Sequence, residues 1–138
     1  MQFSGKKLLV TAIGLAVLCA IAWMTWSPRP KPTKFETMAA DIVKLSLPDD
    51  GAVTQGMVVT RETWESKATW EIETKLEWKT YTSWLSSKLG TEFGKTADDD
   101  RLVEFKKTLP SDICIVRSEC GSDDRPRRIR LTLIVMPW

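Results

Sequence analysis

The sequence predicts an α+β protein: an N-terminal transmembrane helix, then a small antiparallel sheet of about five strands in the order β-β-α-β-β-β, with one helix packed on one face. Three observations carry this expectation. Leu8 to Trp26 is a run of nineteen residues without charge or proline. Five later segments are rich in β-branched and aromatic residues or alternate apolar with polar, the pattern of half-buried strands. Between the second and third of these, Trp78 to Leu89 switches to spacings of three and four, the period of a helix.

The first seven residues, with Lys6 and Lys7, read as a cytoplasmic n-region before the apolar run at 8–26. At about 1.5 Å per residue, nineteen helical residues reach roughly 28 Å, near the roughly 30 Å of a hydrocarbon core. Residues 8–26 are therefore expected to contact a lipid bilayer as a signal anchor, with the amino end inside. A secretory signal cut after Ala22 competes with this, since Ala20-Ile21-Ala22 has the small-x-small form. Apolarity continues through Trp23, Met24 and Trp26, which favours retention. Leu18 before Cys19 is too bulky for a lipoprotein motif.

Residues 27–34 place Pro28, Pro30 and Pro32 on alternate positions and read as a polyproline stalk. Residues 35–138 then form one exported domain, long enough for a single core. In it Phe35, Met38, Ala39, Ile42 and Leu45 share a helical face, and Pro48-Asp49-Asp50-Gly51 is a turn. Val53–Thr63 and Lys67–Lys75 suggest a hairpin turning at Glu65-Ser66. That register sets Val59 opposite Ile72 and Arg61 opposite Trp70, where the guanidinium would lie on the indole.

Trp78, Tyr81, Trp84, Leu85 and Leu89 form the stripe of the best helix, and Gly90 supplies its stop. Lys95 to Arg101 is polar and reads as a loop. Strands follow at Arg101–Lys107, Ile113–Ser118 and Arg128–Met136, the last two separated by the loop Gly121 to Pro126. Neither internal repeats nor further low-complexity tracts interrupt the pattern.

Function is narrowed mainly by exclusion. Setting aside Lys6 and Lys7, eighteen basic residues balance eighteen acidic ones, so the domain lacks the charge excess of a nucleic-acid binder. Histidine is absent, which removes the commonest proton-transfer side chain and the commonest zinc ligand. No cofactor motif is present and no enzyme chemistry is implied. Asp49-Asp50, Asp98-Asp99-Asp100 and Asp123-Asp124 lack the spacing of a calcium loop and read as solvated. Glu62, Glu71 and Glu73 on a flat hairpin lack the pocket that a carboxylate pair would need.

Four features remain as candidates. Cys114 and Cys120 form a disulfide if their strand bends back, but six extended residues separate them by about 20 Å if it is straight. Among seven tryptophans, Trp64 at the hairpin tip is the one suited to recognition, while the others read as core or membrane interface. Arg125, Arg127, Arg128 and Arg130 make the only basic concentration, either a docking patch for anionic lipid or an acidic partner, or a charged strand edge that blocks aggregation. The expected function is non-enzymatic protein contact in the cell envelope by a membrane-tethered domain; the alternatives are a secreted binding domain released by cleavage of the signal, with its ligand on the wet sheet face or Trp64, and an enzyme of unassigned chemistry.

Overall fold

The computed structural model describes residues 5–26, 33–121 and 125–137. The chain divides into two compact units, Met1–Lys31 and Pro32–Trp138. The first contains helix α1 (Gly5–Trp26), whose side chains are described from Thr11 to Trp23. Among the described residues no helix is long and apolar enough to cross a membrane, which overturns the expected transmembrane anchor at 8–26. The stalk at 27–34 lies outside the described residues up to 32; Thr33 and Lys34 belong to a helix instead.

That helix, α2 (Lys34–Ser46), begins on a capping box. The Thr33 hydroxyl accepts from Glu36 N at 3.3 Å, and the Thr33 N–H donates to the Glu36 carboxylate at 2.9 Å. After the turn at 48–51, where Gly51 N donates to the Pro48 carbonyl, come β1 (Ala52–Arg61), β2 (Ser66–Thr74), α3 (Trp78–Leu89) and β3 (Gly94–Asp98). The last strands are β4 (Leu102–Thr108), β5 (Asp112–Cys120) and β6 (Arg127–Pro137). Six strands form one antiparallel sheet in the order β1-β2-β6-β5-β4-β3.

Strand alternation sorts the side chains cleanly. Ala68, Trp70, Ile72, Val103, Phe105, Cys114, Val116, Ile129, Leu131 and Leu133 are buried on one face. Ala39 and Ile42 of α2, and Trp78, Tyr81, Leu85 and Leu89 of α3, join them in one core. The core face therefore carries two helices rather than the one expected. The α2 helix, too short to be stable alone, is held by its capping box, by its apolar stripe and by Arg61.

Two corrections concern the strands. The hairpin turns through residues 62–65, with Glu62 N donating to the Glu65 carbonyl at 2.8 Å, so Val59 stands opposite Ala68 and Arg61 opposite Ser66. A two-residue hairpin turn needs positive φ, and no non-glycine described residue has it, so the chain takes the longer connection. Arg61 accordingly misses Trp70 and donates to Thr33 Oγ1 at 2.6 Å and to Glu36 Oε1 at 3.1 Å. The second correction is β3, expected as loop: Gly94–Asp98 has no apolar alternation because it is an edge strand recruited by pairing with β4.

Asp50 clasps the turn to the far end of β2. Its carboxylate accepts from Lys75 N at 2.7 Å and from the Thr74 hydroxyl at 3.0 Å. The Lys75 backbone donor, aided by Thr74, holds its pKa below the ordinary carboxylate value despite some desolvation. Because the folded value is depressed, this stabilisation is complete above the unfolded pKa near 4 and is lost as pH falls through the folded value. We expect Asp50→Ala to lower the unfolding free energy at neutral pH by about 1 kcal/mol. Denaturant melts at pH 7 and pH 3 check this, since the wild type and variant should converge in acid.

Candidate interaction surface

The uncovered face of the sheet is a charge lattice written by register. Glu73 stands opposite Arg128, Glu71 opposite Arg130, Arg130 opposite Glu119, and Arg117 opposite Glu104. Arg117 reaches Glu104 Oε2 with two nitrogens at 2.9 and 3.0 Å, and Arg128 Nε donates to Glu73 at 3.3 Å. Ile134, on the same face, is nevertheless buried beside Lys67 and Ile115, its register neighbours.

Three shallow depressions of about 420, 500 and 560 Å³ lie along this lattice. The largest is lined by Glu71, Glu73, Gly121, Arg125, Pro126, Arg128 and Arg130. Three arginines meet two glutamates there, and Arg128 and Arg125 are already held in ion pairs with Glu73 and Glu77. Exposed pairs of this kind are worth under about 1 kcal/mol each.

The basic cluster is not one patch. Alternation along β6 sends Arg128 and Arg130 outward and Arg127 inward, so neighbours in sequence sit on opposite faces. Arg127 Nη1 donates to Cys120 Sγ at 3.5 Å and pairs with Glu77 Oε2 at 3.6 Å, and Arg125 also pairs with Glu77, the residue before α3. Nor is it an edge: β6 is the third strand of the sheet, so edge protection is not its role.

Cys114 and Cys120 are separate thiols on an unbroken strand, both buried toward the helices. Cys114 Sγ meets Met38 Sδ of α2 at 4.0 Å. Burial pushes the Cys114 thiol up to about 11, against the weaker pull of Lys107. Among the described residues no group of His, Cys, Asp or Glu is arranged to hold a metal ion. Of the acidic clusters, Asp99 caps its own turn by accepting from Arg101 N and Leu102 N at 2.8 Å, and Asp123-Asp124 lies outside the described residues.

The hairpin differs from all of this. Trp64 is 76% exposed at its tip, whereas Trp70 is fully buried and Trp78 nearly so. The edge strand β1 leaves Val53 at 44%, Met57 at 38% and Val58 at 52% exposed. Its residues 52–60, AVTQGMVVT, contain no charge and no proline. Sequence reasoning found Trp64 but missed the open edge. The signal was the uncharged run itself, which is unusual for an outer strand.

No family model, curated protein or solved structure matches the chain.

Two outcomes follow. Trp64→Ala should change the unfolding free energy by less than about 0.5 kcal/mol, while Trp70→Ala should cost about 3–5 kcal/mol, as urea titrations would show. Cys114 should resist alkylation at pH 8 in the native state and react on unfolding. Because its folded pKa is raised, the associated stability is complete below the unfolded value and declines as pH climbs toward 11. A Cys114 as reactive in native buffer as in denaturant would contradict the packing against Met38.

Proposed function

We propose that residues 32–138 act by protein–protein contact, without chemistry of their own, through the β1–β2 hairpin. The observation that carries this reading is the combination of an exposed tip tryptophan with a charge-free, apolar edge strand on the same hairpin. An exposed large aromatic on a rigid turn has the chemistry of a binding hot spot, with much contact area and few torsions to immobilise. An open strand edge offers backbone N–H and C=O groups in a row, ready to pair with another extended chain.

The rest of the surface supports the same choice. The outer face carries its own Arg–Glu lattice, and its depressions are shallow. The basic residues expected as a docking patch are spread over two faces, and Arg125, Arg127 and Arg128 pair with Glu77 or Glu73.

Photo-crosslinking amino acids placed at positions 58 and 64 of the full chain should each yield a discrete covalent adduct in cells, and the same probe at Thr96 on the opposite edge should not. Trp64→Ala should weaken that contact by about 2 kcal/mol, roughly thirtyfold. Equal, featureless labelling from all three positions would overturn the reading.

A further inference from the structure

We infer that the occupant of the β1 edge is the β1 edge of a second copy of this chain, paired antiparallel about a two-fold axis at Gly56. This rests on the contact reading above and names the partner.

The two outer strands of the sheet are guarded very differently. At one end β3 is only five residues long and carries Lys95 and Asp98, devices against edge-to-edge association. At the other end β1 is ten residues long and carries no charge from 52 to 60. A head-to-tail contact of β1 with β3 would build an open filament. The defended β3 opposes that, whereas β1 with β1 closes at two copies.

Self-pairing also satisfies the faces of the strand. Register with β2 puts Val53 and Val59 on the helix side, opposite Ile72 and Ala68, and Ala52 and Thr60 on the outer side, opposite Glu73 and Lys67. An antiparallel two-fold at Gly56 sets Val53 against Val59 and Ala52 against Thr60. Each residue then meets one from its own face. The agreement is not automatic: β1 has two register shifts, one between Val53 and Gln55 and one between Gln55 and Val58. One shift alone would have inverted the faces across the axis; two restore them.

Charge agrees as well. The uncharged run is flanked by Asp49-Asp50 before it and Arg61 after it. Pairing about Gly56 sets Arg61 of each copy opposite Gly51 of the other, next to that acidic pair, so opposite signs meet at both ends beside the bonds that Arg61 donates to Glu36 and Asp50 accepts from Lys75 N. Gly56 itself has no neighbouring atom within 4 Å of where a Cβ would stand, so a side chain can be placed at the axis without displacing the chain's own atoms.

The test uses the full chain. Its mass by analytical ultracentrifugation should be twice that of the single chain, and Met57→Lys with Val58→Lys, exposed positions that leave the core untouched, should return it to one. Gly56→Cys in a Cys19→Ser background should form a disulfide-linked dimer on mild oxidation, since facing residues of an antiparallel pair lie within disulfide range. Thr96→Cys on β3 should not. A single-chain mass over a dilution series, with Gly56→Cys no more crosslinked than Thr96→Cys, overturns self-pairing. If position 58 still gives an adduct with a different protein, the contact reading survives that loss; if it gives none, both fall together.

Discussion

Ser46, the last residue of α2, is the point on which the packing of the domain depends. It is fully buried, and three elements meet on it. Its hydroxyl accepts from the Trp70 indole of β2 at 3.2 Å and donates to the Val43 carbonyl at 2.9 Å, while its own carbonyl accepts from the Tyr81 hydroxyl of α3 at 3.1 Å. A helix leaves its last carbonyls without partners, and a buried end must find them elsewhere. Here a tyrosine from the second helix supplies the donor, which fixes where α3 lies against α2. Burial raises the Tyr81 pKa, so its proton stays in place through the physiological range. Each polar group in this junction would cost about 1–3 kcal/mol if orphaned, and that cost holds two otherwise marginal helices to one sheet face.

With the helix side closed in this way, the remaining surface is decided by strand order. β6 inserts between β2 and β5, which sets Arg128 opposite Glu73, its ion-pair partner, and Arg130 between Glu71 and Glu119. β1 is left outermost and uncharged. The contrast between a self-satisfied face and an unsatisfied edge is what directs a partner to the hairpin.

Much of this order was legible in the chain. The α3 boundaries follow from the Trp78–Leu89 stripe and Gly90, whose φ of +74° is the left-handed stop that glycine permits. The inner faces of β2, β4, β5 and β6 follow from period-two alternation. What escaped the pattern depends on tertiary context. β3 has a sequence of no strand character and exists because β4 offers it hydrogen bonds. The hairpin register hinged on whether residues near Glu65 could adopt positive φ, which alternation does not encode; the four-residue slip preserved the faces of β1 near Val59 only because four is even. The apolar run at 8–26 was read as spanning a bilayer, a conclusion the described part of α1 does not support. The split of Arg127 from Arg128 and Arg130 follows from strand alternation along β6, but composition alone presents them with Arg125 as one cluster.

The most direct test of this account is amide and indole hydrogen exchange read at the tryptophan side chains. After transfer into heavy water, the Trp70 indole N–H, buried and bonded to Ser46, should persist through the slow, globally limited phase, while the Trp64 indole should exchange at once. Loss of the Trp70 signal as fast as that of Trp64 would show that the junction at Ser46 does not hold the core, and the placement of α2, α3 and the open hairpin edge would fall with it.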